Sequence, residues 1–351
     1  MSPYRLWTCA GCACAVLTLA MSSPAQAAPG GALQICTLGA ASVGTQGTLL
    51  CMDAASGAVT QTIPVGNTVV GRGGTGGTLS RYRNTVLVTN LMDRAALFRA
   101  AGGKLVGPIT LDTGGESSLS GALSDKGAYV LTGTQLLFFP VGRTRPTSGQ
   151  NLLVSDGSAA QVTVADGYAY VSEKSGTLEA FRLAADGGVK SPATPVTDIP
   201  AGTIVGITGL DDLVVAPVAH LASNPNQSTV PVASGTEVIQ DVETREVAAC
   251  WAANDGDEVC ITNPGSMTIS CGRFGSGGFK SYTSIAAHAA GESLFDLDIR
   301  SGVVGVLGVH NGKAVLQTYA FTSNSDFLTF TNEMPVGTAV ATGALLLPSS
   351  R

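Results

Sequence analysis

Glu173 and Lys174 close the string Ala169-Tyr170-Val171-Ser172-Glu173 and form the adjacent pair best suited to acid–base chemistry in this chain. A carboxylate can activate a water and an ammonium can stabilise an oxyanion, the two groups that hydrolysis at a carbonyl needs. Asn90, Thr132 and Asn263 end comparable strings, while Asp93 and His310 lie just beyond such ends. If these strings are equivalent strands of a repeat, their polar ends gather on one face, and all five are candidate ligand-binding residues. Successive strand residues point to opposite faces, which works against Glu173 and Lys174 meeting one substrate. The competing roles are structural. Glu173 would serve a turn or a channel hydrogen bond, and Asn90 and Asn263 would bond their own backbone in turns.

Other chemistry finds little footing. The three histidines, His220, His288 and His310, have no ligand spacing among them, and no Cys-x-x-Cys pair occurs outside the first 27 residues, so no metal site is expected. Ser117 and Ser276 follow glycine-containing stretches but lack the strand-to-helix setting of a nucleophile elbow. The run Gly71-Arg72-Gly73-Gly74-Thr75-Gly76-Gly77 has no Lys-Ser/Thr after it to hold phosphate. It reads as a glycine loop over one mouth of the molecule. No cofactor is expected.

The elements that must position these residues are strands. Forty-five glycines and 16 prolines against 13% charged residues argue against long helices, and no stretch sustains an apolar period near 3.6. Short β-rich strings recur instead. Anchors at Val88, Val130, Val171, Val215, Ile261 and Leu307 fall 41–46 residues apart, with a degenerate earlier copy at Ile35-Cys36-Thr37. That period is one four-stranded propeller blade. Asp166-Gly167 and Lys174-Ser175-Gly176 mark turns inside a unit, and Asp125-Lys126-Gly127, Asp211-Asp212 and Asp255-Gly256-Asp257 are equivalent turn signals before other anchors. The expected fold is all-β: a seven-bladed β-propeller of four-stranded antiparallel blades in one domain, residues 28–351. Phe327–Thr331 and Thr338–Leu347 are expected to join Leu33–Leu38 in one shared blade that closes the ring. A pair of β-sandwich domains is the alternative and predicts less regular spacing.

The repeat strings resemble those of the lactonase-like propeller family, which includes 6-phosphogluconolactonase and carboxy-muconate cyclase relatives and carries a Tyr-Val-Thr-Asn repeat. The resemblance rests on two stretches. One runs from Ala159-Ala160-Gln161-Val162 through Tyr170-Val171-Ser172-Glu173-Lys174 to Phe181-Arg182, and the other from Ala249-Cys250-Trp251 through Cys260-Ile261-Thr262-Asn263 to Ile269-Ser270. It covers residues 80–320 and implies a propeller and, by analogy, a lactone hydrolase or cyclase. Thr132, Pro217 and Val309 stand where the repeat would end in Asn.

Arg5, the apolar run Cys9–Met21 and Ala25-Gln26-Ala27 predict a secretory signal peptide over residues 1–27, cleaved after Ala27, and hence a secreted or periplasmic protein. The run is too short to span a bilayer. Cys9, Cys12 and Cys14 leave with the signal, and Cys36, Cys51, Cys250, Cys260 and Cys271 remain as disulfide candidates. Cys36 and Cys51 could face each other across a hairpin, and one bridge among the other three would leave one thiol free. Asn226-Gln227-Ser228 is a glycosylation sequon in a loop.

A net charge of −6, from 19 basic and 25 acidic residues, argues against nucleic acid as a partner. The expected partners are a small lactone or sugar acid, or a protein or glycan, met by a monomer. Degenerate repeat ends, few histidines and no assembled acid–base pair favour a binding protein that uses one propeller face. A lactone hydrolase or muconate-cyclase-like enzyme is the alternative, favoured by the resemblance.

Overall fold

The computed structural model describes residues 32–349 except 70–75, 191, 221–227, 276–277, 280–282, 288–292 and 323–327. The predicted leader, most of the glycine run, the sequon asparagine Asn226, Ser276, His288 and Phe327 lie outside the described residues. The described chain is all strand and turn, and its strands form seven antiparallel sheets. These are the seven blades of a β-propeller.

Blades 1 to 6 follow the chain, and the first strand of each lies innermost. The inner strands are Leu79–Tyr82, Ser120–Leu123, Ala159–Ala165, the split pair Thr203–Ile204 and Thr208–Gly209, Trp251–Asp255, and Ser293–Arg300. Blade 7 joins the two ends of the molecule. Val340–Pro348 forms its inner strand and pairs with Leu33–Ala40, which pairs with Gln46–Asp53, which pairs with Val59–Asn67 at the rim. Closure therefore uses Val340–Pro348 alone from the C-terminal side. Leu328–Pro335, expected to share this blade, instead pairs with Lys313–Phe321 as the outer strand of blade 6.

The anchor strings recur because the second strand of each blade is buried on both faces. In blade 3, Ala169 and Val171 pack toward blade 2 with Tyr129, Leu131 and Phe138, whereas Tyr170 packs toward blade 4 with Ile204 and Val214. In blade 2, Val130 packs back toward Leu87 and Leu111 of blade 1. A strand sandwiched this way carries a continuous apolar run in place of alternation. Two-residue turns set the hairpins. Asp166-Gly167, Ser301-Gly302 and Asn311-Gly312 all take positive φ at both positions, the backbone of a type I′ turn that matches strand twist.

Cys36 lies directly opposite Cys51, and Cys260 directly opposite Cys271, so each disulfide ties two neighbouring strands of its blade. Among the described cysteines Cys250 is the free thiol, and burial pushes its pKa up to about 12.

Candidate functional site

The seven inner strands surround a central channel of about 250 Å³. Arg81, Gln161, Thr208, Asn254, Asp296 and Asp298 give it a polar wall. Two of these come from blade 6 by way of a β-bulge. The register shifts between Leu294 and Leu297, so Leu294, Leu297 and Ile299 all reach the same apolar cluster while Asp296 and Asp298 line the channel.

Burial dominates both carboxyls. It pushes Asp296 up to about 7; the Leu297 N–H (3.0 Å) and the Gly77 N–H oppose the shift and the Asp298 charge adds to it. Asp298 is also raised by burial, with Arg81 opposing. Its Oδ2 accepts from the Leu346 N–H at 2.7 Å, and its Oδ1 lies 4.0 Å from the Arg81 guanidinium. Arg81 in turn donates to the carbonyls of Leu346 (2.9 Å) and Ile299 (3.1 Å). One side chain from blade 1 thus grips the inner strands of blades 6 and 7, at the seam where the ring closes. Across the channel, Gln161 bonds both the N–H and the carbonyl of Ile207, bridging blades 3 and 4.

Gly76 and Gly77, the end of the glycine run, cover one end of the channel. A Cβ on Gly76 would collide with Gln161 Oε1 of blade 3 and lie 2.9 Å from Trp251 Cδ1 of blade 5, so this backbone lies across the bore. A residue with no side chain is required there.

The other end opens. Leu123, Val164, Gly209 and Asn254 line both the channel and a basin of about 1010 Å³. The basin lies on the face formed by the turns between first and second strands. Asp125 of blade 2, Asp211 and Asp212 of blade 4 and Asp257 of blade 5 stand exposed around it. Among the described residues that line it there is no lysine or arginine.

The residues singled out from the repeat sit at the opposite ends of the second strands. Glu173 is fully buried; its Oε2 accepts from Ser158 Oγ at 2.8 Å, and its Oε1 has no hydrogen-bond partner. Burial pushes its pKa up to about 7, the Ser158 bond and Lys174 oppose, and Glu179 and Asp156 add to the rise. Lys174 is half-buried, and its pKa is lowered by that burial. Asn90 donates to Thr78 Oγ1 (2.8 Å), and Asp93 pairs with Arg94 (2.7 Å). Thr132 Oγ1 donates to the Gln135 carbonyl (3.2 Å), and Asn263 donates to Thr268 (3.0 Å) and Ser270 (2.7 Å). His310 Nδ1 meets Glu333 at 2.8 Å. Apart from Lys174, each bonds within or beside its own blade, and none of the seven lines the channel or the basin. The residues brought together are instead Arg81, Asp296, Asp298 and the turn aspartates. The turn aspartates are visible in the sequence as turn formers, and their common position before the anchor strands was the available signal that they share a face.

No known family pattern matches the chain, and no curated protein matches it. Solved structures do. A functionally unknown protein from Desulfotomaculum acetoxidans DSM 771 superposes with a TM-score of 0.65 at 13% identity, covering 90% of this chain and 99% of its own. A candidate 6-phosphogluconolactonase from Bacteroides fragilis NCTC 9343 gives 0.62 at 11% identity, covering 90% and 98%. The WD40 propeller domain of Doa1 gives 0.52 at 10% identity, covering 78% and 86%. The likeness is to the propeller fold, which lactonase-like and WD40 proteins share.

Proposed function

We propose that this chain is an exported, non-catalytic binding propeller that takes a cationic ligand at the basin. The carrying observation is the basin itself: a large concavity at the channel mouth, ringed by four aspartates from three blades, of which Asp125 pairs with Lys126 at 2.9 Å, with no basic residue among its described lining. Aligned acidic groups around a concave mouth attract and orient positive charge. The channel behind it supports binding over turnover, because Arg81 and Asp298 spend their hydrogen bonds on the ring seam. Two disulfides suit an oxidising compartment, as the predicted leader does.

The test is calorimetric titration of mature protein (residues 28–351) with tetralysine. We expect saturable binding that weakens about tenfold from low to physiological salt, as screening of exposed charge requires. The double variant Asp211→Asn/Asp212→Asn should weaken it about as much again. No binding, or equal binding by the variant, contradicts the reading.

One observation favours the lactone hydrolase as a second reading: Glu173 is held near 7, in the working range of a general base, beside Lys174. In that reading Asn90, Asp93, Thr132, Asn263 and His310 would serve substrate binding on the same face. Saturable hydrolysis in a pH-stat panel of sugar and aromatic lactones, lost in a folded Glu173→Ala variant, would support it. No turnover above buffer returns the chain to the binding reading.

A further inference from the structure

The basin continues into an apolar groove between blades 1 and 2, of about 460 Å³, and Tyr82, Leu123, Ser124 and Asp125 line both. Val106 and Ile109 of blade 1 and Val141 of blade 2 line the groove while 59%, 57% and 75% exposed. With Ile239, which lines the basin, they make half of the eight large apolar side chains exposed among the described residues. Exposed aliphatics scattered singly need no explanation, but a cluster lining a concavity marks an interaction surface.

Charge selects the occupant. Arg83 and Arg99 stand on the blade 1 wall of the groove, Arg83 over the Tyr82 ring at 5.1 Å. The groove's one carboxylate, Asp125, is already paired with Lys126 at 2.9 Å, so the two guanidiniums disfavour cationic residues there while Asp211, Asp212 and Asp257 draw them to the basin; the groove takes the apolar part of a ligand and the basin its charged part. The aspartates come from three blades around a basin of about 1010 Å³, a spread that suits a chain of several cations better than a single charged headgroup. We propose that this face binds an extended peptide in which aliphatic residues sit in the groove and adjoining lysines or arginines sit over the basin. This rests on the basin reading and adds the ligand class to it.

Two probes separate the claims: tetralysine, and an acetylated peptide of three valines followed by four lysines. Against mature wild-type protein in calorimetry, the longer peptide should bind at least about tenfold tighter, since each 1.4 kcal/mol of apolar burial is a factor of about ten. Ile109→Gln and Val141→Gln, at exposed positions and checked for unchanged melting, should abolish that gain and leave tetralysine binding as it was. Equal affinity for the two peptides, or a gain that survives both variants, overturns the groove assignment and leaves the basin standing. No binding of either probe overturns the basin reading and this one with it. A concentration-dependent dimer dissolved by Val141→Gln assigns the groove to a second copy of the chain and also overturns the proposal.

Discussion

Arg81→Met is expected to lower unfolding stability by about 3–5 kcal/mol, the cost of losing two charge-assisted hydrogen bonds to backbone carbonyls and the counter-charge of a partly buried carboxylate. The guanidinium donates to carbonyls of blades 6 and 7 and is the counter-charge to Asp298, whose carboxyl burial already disfavours as an anion. The loss falls where the first and last strands of the chain meet, so denaturant midpoint should drop and Val340–Pro348 should become protease-sensitive. Asp298→Asn in the Arg81→Met background retains an acceptor for the Leu346 N–H and removes the stranded charge. It should restore part of the loss, because neighbours in one network are not additive. A single-variant loss under about 1 kcal/mol, or a double variant no better than the single, would show that the seam does not depend on this pair.

Asp296→Asn is expected to stabilise the protein by about 2–4 kcal/mol at pH 8 and by almost nothing at pH 4. The sign follows from the carboxyl being raised to about 7 in the fold from its ordinary value of 3.8. Between these values the folded state holds a proton that the unfolded chain releases, so wild-type stability falls as pH rises from about 4 to 7 and levels above. Glu173, also raised to about 7, acts in the same direction over the same window. Asparagine is neutral throughout and keeps an oxygen for the Leu297 N–H. Urea melts of both proteins at the two pH values read the difference. A variant less stable than wild type at pH 8 would mean that the ionised carboxylate, bonded by Gly77 and Leu297, is worth more than its burial costs.

The fold was legible because its most repetitive element is its most buried one. The second strands pack against a neighbouring blade on each face, which forces apolar strings such as Ala128-Tyr129-Val130-Leu131 to recur at blade spacing. The cysteines were half legible: opposed positions across a hairpin pointed to Cys36 and Cys51, but which of Cys250, Cys260 and Cys271 stays free depends on ladder register. The channel was not legible. Its residues come from inner strands that share no string, and Asp296 owes its place to a bulge that shifts the alternation by one. Polar residues at the ends of the repeated strings stood out instead, yet they belong to second strands, one ladder away from the bore. There Asn90 and Asn263 tie down Thr78, Thr268 and Ser270 within the blades. Closure was legible in kind and mistaken in extent, because the alternating pattern of Leu328–Pro335 fits an outer strand of blade 6 as well as a strand of blade 7.

The central claim, that the face of the aspartate turns is the binding face, is tested most directly by hydrogen exchange of the mature protein with and without saturating tetralysine. The account predicts slowed exchange in the turns around Asp125, Asp211-Asp212 and Asp257, with those around Asn90, Glu173 and Asn263 unchanged. Protection at the second set with none at the first would contradict it, and would move the ligand to the opposite mouth.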